Sequence, residues 1–308
     1  MRKFLPFLFA AALASSCIDN AYDLSNVNTD DVTIGDEDSE YRLPLATVYV
    51  NMSELKEGGA DIKTLFDEAD IWLPSPLPGN AAYVDLRELQ NTPETITPLL
   101  DALIDQMMDD DAKITAVADL LAEKYLSTFL PLLPPNTDPA DFKPVFIEAF
   151  RNMPMLHDRL SGEVKSLAGS YLTELKVQDV TYDIGKIDIG GDVVDMLCEN
   201  LDSEGTPNPK NTLHLYGSIT SALPVSLRLV PYFSPTNVRF DVTVEPGKTN
   251  EIRETQLFES DLRQIIEGAE IILPVSLEKY YPGYDFTSDQ QIVITLRLIK
   301  RGGLKLNL

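Results

Sequence analysis

The chain has few of the residues that build metal and disulfide chemistry: two cysteines, two histidines and one tryptophan in 308 residues. Cations are scarce as well, with 25 Lys+Arg against 49 Asp+Glu and a formal net charge of −24. So acidic a chain lacks the basic surface that phosphate neutralisation requires, which excludes nucleic acid as a partner. It equally lacks the polybasic clusters that hold proteins on anionic lipid. A Cys₄ or Cys₂His₂ zinc site is out of reach once one cysteine is committed elsewhere. There is no Gly-rich phosphate loop, no His-Glu-x-x-His and no Gly-x-Ser-x-Gly elbow, so neither an enzyme nor a cofactor is indicated. Gly190-Gly191 follows a strand-like run without the spacing of a dinucleotide site. What is present is an ordinary apolar content of 44%, enough to build a real core.

The N-terminus carries the most specific pattern. Met1-Arg2-Lys3 is cationic, Phe4 to Leu13 is an apolar run interrupted by Pro6, and Leu13-Ala14-Ser15-Ser16-Cys17 ends in small residues and a cysteine. The run is too short to span a bilayer and reads as an export signal over residues 1–16. Its last residues resemble a bacterial lipobox, which implies acylation of Cys17 and a membrane attachment through that lipid anchor. Residues 17–40 are acidic and polar and read as an extended tether held open by like-charge repulsion. Asp19 and Asp23 just after Cys17 resemble surface lipoproteins of the Bacteroidota. The order Tyr22-Asp23-Leu24-Ser25-Asn26-Val27, Val32-Thr33-Ile34-Gly35, Leu43-Pro44-Leu45 resembles an uncharacterised set of them. That resemblance implies an outer-membrane lipoprotein displayed at the cell surface and brings no activity with it. Asp36, Asp38 and Glu40 alternate, but the glycine and glutamate of a calcium loop are missing. With Cys17 lipidated, Cys198 has no disulfide partner, and its apolar setting reads as a buried small hydrophobe.

An ungapped match joins Asp61–Pro74 to Asp261–Pro274, with Asp, Lys/Arg, Ala and Leu-Pro in register. Both copies read as a short helix followed by an apolar strand, the second strand running from Ala269 to Leu277. Leu223-Pro-Val-Ser-Leu227 repeats Leu273-Pro-Val-Ser-Leu277 outright, and proline at the third position of these strands suggests edges or bulges.

Residues 95–170 read as a helical block. Ile96, Leu99, Leu100, Leu103, Ile104 and Met107 form one stripe opened by Thr97-Pro98. Helices follow over about 112–127, from Asp138-Pro139, and over about 157–170, with a proline-rich break between the first two. Met107, Met108, Met153 and Met155 read as core filling. From Leu172 onward the pattern alternates in short runs separated by turn clusters, as in an antiparallel sandwich. The expected fold is α+β. An antiparallel β-sandwich-like domain over 171–308 recruits strands from a β-rich segment, 41–94, and the helical block is inserted or adjacent. Leu304-Lys305-Leu306 reads as a final edge strand.

Candidate chemistry is sparse. His157, Asp158 and Ser161 share a predicted helix, where polar residues meet without forming a triad. His214 alternates with Leu213 and Leu215 and reads as a sheet-face residue, and Trp72 reads as core. Lys279-Tyr-Tyr-Pro-Gly-Tyr-Asp-Phe286 puts four aromatics in a Pro-Gly loop. Tyr280, Tyr281 and Tyr284 there are candidates for stacking on sugar rings, with Asp285 bonding hydroxyls. The function that follows is a non-enzymatic, lipid-anchored envelope protein binding a polysaccharide or a partner protein at the bacterial surface. Two alternatives stand beside it: a structural or adhesin-like subunit of an envelope assembly, and a hydrolase using two carboxylates.

Overall fold

A computed structural model of the chain describes residues 32–187, 189–287 and 289–306. The expected export signal over 1–16, Cys17 and the acidic residues as far as Asp31 lie outside the described residues. In chain order the first strands are β1 (Val32–Ile34), β2 (Glu40–Asn51), β3 (Lys56–Glu57) and β4 (Ala60–Asp61). Helix α1 (Ile62–Trp72), strand β5 (Val84–Asp85) and helix α2 (Leu86–Asn91) come next. The helical stretch continues with α3 (Thr97–Asp109), α4 (Asp111–Lys124), α5 (Leu126–Phe129), α6 (Phe142–Asn152) and α7 (Pro154–Glu174). After β6 (Val180–Asp183) and α8 (Gly191–Cys198) come β7 (Thr212–Ser221), β8 (Val225–Leu229), β9 (Tyr232–Ser234), β10 (Val242–Val244) and β11 (Thr249–Leu257). Helix α9 (Glu259–Gly268) then leads to β12 (Glu270–Leu273), β13 (Val275–Tyr280), β14 (Gln291–Arg301) and β15 (Leu304–Leu306).

The protein is α+β with antiparallel sheets. One four-stranded sheet has the order β11-β7-β14-β2, and a second has the order β10-β8-β13-β5. A three-stranded sheet, β6-β12-β9, and the pair β1-β15 complete the larger pairings. The buried residues of the helices and of both four-stranded sheets join one continuous core. Helix stripes supply Leu103, Val117, Phe146, Phe150 and Val164, and strands supply Leu215, Leu227, Ile294 and Leu298. Side-chain bonds lace the helices to one another: Tyr171 of α7 donates to the Leu65 carbonyl of α1 at 2.8 Å, and Gln90 of α2 to the Leu175 carbonyl at the end of α7 at 2.8 Å.

Helix starts follow their caps. The Asp61 side chain accepts from the Thr64 N–H at 2.8 Å, and Asp110 accepts from Ala112 at 2.8 Å and Lys113 at 3.3 Å. Each satisfies amides that the first turn leaves without a helical partner.

Several expectations are corrected. The described part of the range 17–40, where an extended tether is expected, is not extended tether. Val32–Ile34 pairs with Leu304–Leu306, and the connection to β2 is closed by Ser39 and Asp36 side chains and by the Tyr41 hydroxyl donating to the Ile34 carbonyl at 2.7 Å. The run from Leu172 is helix as far as Glu174, and only Val180–Asp183 is strand. The segment 41–94 contains a second helix, Leu86–Asn91, besides the short one expected after Asp61. The four methionines divide: Met107 is buried, whereas Met108 and Met153 are exposed and Met155 is 91% exposed.

The repeat diverges at one position. The first copy stays helical through Trp72, while the second ends at Gly268 and turns into β12. Where the second copy has Gly268 at φ 119°, a conformation reserved for glycine, the first has Glu68 inside the helix. The aligned aspartates also differ, since Asp61 caps its helix from outside whereas Asp261 reaches back to the Phe258 N–H at 3.0 Å from within. Proline stands before β8 and β13 rather than inside them, and both are central strands that pair with each other, Leu277 opposite Leu227. A proline at a strand entry removes no ladder bond, so central positions remain open to it.

Candidate functional site

The Tyr-rich segment is a short loop pinned into the core at both ends. Tyr280, the last residue of β13, is fully buried, with its ring 4.3 Å from that of Phe66 on α1. Phe286 returns the chain to the same place and stacks on Phe66 at 5.2 Å. Between them Gly283 takes φ 82° to complete the turn, and Gln290 fastens the far side by donating to the Asp285 carbonyl at 3.1 Å. Tyr284, at the apex, is 64% exposed, and Tyr281 is half-buried with its ring 5.6 Å from Tyr83. Lys279 lies over the other partner, 4.7 Å from the Tyr83 ring centroid.

This arrangement corrects the candidate set. Tyr280 cannot stack on a ligand, because its ring is sealed against Phe66 and Phe286. Its hydroxyl donates to Asp70 Oδ1 at 2.7 Å, so its role is to orient that carboxylate. Tyr281, Tyr284 and Asp285 remain at or near the surface.

Tyr284 stands between two hollows. One is a cleft of about 550 Å³ lined by Asp70, the run Leu73–Leu77, Asn80–Ala82 and Pro282–Tyr284. The other, about 350 Å³, is lined by Pro224, Glu245, Pro246, Lys248, Tyr281 and Tyr284. The far wall of the larger cleft is a Pro-rich loop held by Gln106 of α3, which accepts from the Ser75 N–H and donates to the Ser75 carbonyl, both at 2.9 Å. Left-handed Gly79 and Asn80 turn that loop back along the rim.

The electrostatics of the larger cleft centre on Asp70. Burial pushes its carboxyl above the usual range, while the Tyr280 hydrogen bond and Lys113 pull the other way. Lys113 is buried, its Nζ donating to the carbonyls of Leu73 at 2.5 Å and Asp70 at 3.0 Å. It therefore caps the carboxyl end of α1, where carbonyls lack helical partners. Burial lowers its ammonium to about 8. In the smaller hollow, a close ion pair to Lys248 holds the Glu245 carboxyl below its ordinary range.

Among the residues lining the larger cleft, Asp70 is the only carboxylate, and Asp67 and Asp285 lie near enough to push its carboxyl further up. A carboxylate oriented by a tyrosine, beside an exposed ring and backbone carbonyls, can accept hydroxyl hydrogens without reacting. Among the described residues no group of three or more His, Cys, Asp or Glu is arranged to hold a metal ion.

The remaining candidates fall elsewhere. Ser161 Oγ lies 3.3 Å from His157 Nε2, but His157 Nδ1 is 2.7 Å from the Phe150 carbonyl, where a triad would place a carboxylate. Ser161 is buried in α7. His214 lies on β7, and burial lowers the imidazole below its ordinary value. Cys198 is buried in α8, where burial raises the thiol to about 11. Trp72 is fully buried, but at the end of a helix rather than in a strand. The sequence reading missed Asp70, Ser75 and Asn80; the signal that could have found them is Pro74-Ser-Pro-Leu-Pro-Gly-Asn80, a second Pro-Gly loop.

No family model matches the chain, and no curated protein matches it. A presumed secreted protein from Parabacteroides distasonis, known from its crystal structure, is similar at 18% identity and a TM-score of 0.30. The alignment covers 41% of this chain and 38% of that one, so the chain spans about two fifths of that protein's length. A likeness at that level carries no argument about fold or function. Among the described residues no helix is long and apolar enough to cross a membrane.

Proposed function

We propose that the chain is a lipid-anchored envelope protein of the Bacteroidota type that captures a glycan without transforming it. The observation that carries this reading is Tyr284, 64% exposed at the apex of a loop whose two ends are locked in the core. A loop locked at both ends has little backbone freedom left to lose when a sugar stacks on its apex, so ordering offsets less of the contact. Tyr281 flanks it, and Asp70 accepts hydroxyl hydrogens in the cleft behind. Attachment through Cys17, with acidic residues between the lipid and Val32, holds such a site away from the membrane surface.

The test is a panel of neutral polysaccharides titrated against the purified full chain, with Tyr284→Ala and Asp70→Asn variants alongside. Stacking on one aromatic is worth about 1 kcal/mol, so Tyr284→Ala should weaken binding about five- to tenfold. Asp70→Asn, which keeps an acceptor and the cleft shape, should weaken it less. Binding that survives Tyr284→Ala unchanged, or no binding across the panel, would remove the site.

A further inference from the structure

The outer face of the β11-β7-β14-β2 sheet carries a groove of about 540 Å³, distinct from the Tyr284 hollows. It is built into the sheet by three irregularities at one level. The register of β11 against β7 slips between Ile252 and Thr255, and that of β2 against β14 slips at Leu296/Arg297. Between the slips lies Gly217, which pairs with both Ile252 and Leu296, and a Cβ there would fall 2.0 Å from the Thr295 carbonyl oxygen. Bulges bend a sheet and re-aim side chains, and a glycine beside them lets the backbones close up and leaves a hollow above.

Three of the chain's eleven arginines, Arg42, Arg253 and Arg297, line this hollow. Arg42 is engaged: its Nε donates to Glu40 at 2.7 Å and its guanidinium lies 5.9 Å from the Tyr216 ring centroid. Next to it Arg301 forms a two-pronged pair with Glu254 at 2.7 and 2.8 Å. Those bonds use up Glu40 and Glu254. Arg253 and Arg297 are exposed, and among the described residues no side chain pairs with either guanidinium. Glu251, exposed on the groove wall, is free in the same sense, and Ser218 and Thr249 add hydroxyls. Two uncommitted guanidiniums in one concavity stand out on a chain of net charge −24.

We infer that this groove binds a carboxylate-bearing sugar. Charge complementarity calls for an anion, since Arg forks match a planar carboxylate with two parallel bonds. Glu251 and the Ser218 and Thr249 hydroxyls call for a ligand that also presents hydroxyl donors. A phosphate ion has no use for Glu251, and a uronic acid unit satisfies both sets at once. The site shares no lining residue with the Tyr284 cleft, so either can fail without the other.

The test is calorimetric titration of the full chain with polygalacturonate, and in parallel with a neutral galactan, polyglutamate and inorganic phosphate. Polygalacturonate should bind, and raised salt should weaken it. Replacing both free arginines (Arg253→Ala with Arg297→Ala) should weaken it at least about tenfold. Arg239→Ala, an exposed arginine outside the groove, and Tyr284→Ala should leave it unchanged. Unfolding curves of the double variant should match the parent, since both side chains are exposed. The inference is overturned if polygalacturonate does not bind, if Arg239→Ala weakens it equally, or if phosphate or polyglutamate binds more tightly. The last result with polyglutamate would assign the groove to an acidic peptide.

Discussion

The two buried lysines make stability depend on pH in an unusual direction. Lys113, at the end of α1, and Lys300, whose Nζ donates to the Arg301 carbonyl at 2.8 Å, are each lowered by burial from 10.5 to about 8. A lysine with a lowered folded value binds fewer protons in the native state than in the unfolded one. Stability therefore rises with pH across the window from 8 to 10.5, and it is lost as pH falls through 8. Linkage gives about 1.4 kcal/mol per lysine on going from pH 7 to about pH 9. Cys198 opposes this: its thiol is raised from 9.0 to about 11, so the unfolded state ionises first. That offsets about 0.4 kcal/mol by pH 9. Tyr125, raised to about 12 by burial and by Glu68, begins to oppose it only near pH 10. The expected outcome is a net gain of about 2 kcal/mol between pH 7 and pH 9, read from urea unfolding at fixed ionic strength. Lys113→Met should remove about half of the slope, whatever its effect on absolute stability. Stability that is flat or falling over this window, or a slope unchanged in Lys113→Met, would refute the assignment of both lysines as burial-perturbed.

Four further outcomes follow from packing. Gly217→Ala must separate β7 from β14 by displacing the Thr295 carbonyl, and should cost about 3 kcal/mol or more in denaturant unfolding. Gly268→Ala puts a side chain at φ 119° and should cost about 1–3 kcal/mol by the same measurement. Glu68 is buried where Lys124 and the Tyr125 hydroxyl meet it, and Glu68→Ala should cost about 2–3 kcal/mol, since Lys124 is partly exposed and can swing into water. Cys198 should resist a thiol reagent in the native state at pH 8 and label at once in urea, as mass spectrometry would show.

Much of the helical architecture could be read in advance, because amphipathic stripes and their caps are local. The Ile96-to-Met107 stripe needed nothing from the rest of the chain. The strands were legible as strands and not as sheets. Nothing in Leu223–Leu227 says that it pairs with Leu273–Leu277, although the two copies lie side by side. Exposure was the least legible property. Tyr280 and Tyr284 sit four residues apart in one aromatic loop, yet one is sealed against Phe66 and the other faces solvent. Only the position of α1, distant in sequence, decides between them. Asp70 went unread for the same reason, since its partner Tyr280 lies 210 residues away.

The internal match shows how little separates helix from strand here. Over Asp61–Pro74 and Asp261–Pro274 the apolar positions coincide, so burial alone would predict the same structure twice. The outcome is decided by Glu68 against Gly268 and by what each neighbourhood supplies. Glu68 continues the helix and finds Lys124, Tyr125 and the Trp72 indole, and one turn later Lys113 satisfies the Asp70 and Leu73 carbonyls. At Gly268 the backbone turns at φ 119°, and the next residues find strand partners in Val180–Asp183 and Tyr232–Ser234 instead. The extra turn of α1 is what brings Asp70 under Tyr280 and forms the floor of the larger cleft. Shortening α1 with Glu68→Gly should therefore do more than destabilise: by freeing Asp70 from Tyr280 and removing the cleft floor it should weaken the proposed neutral-glycan binding per folded molecule, while polygalacturonate binding in the arginine groove persists in whatever fraction stays folded. Loss of both activities in step with the folded fraction would show that α1 only supports the fold and does not shape the cleft.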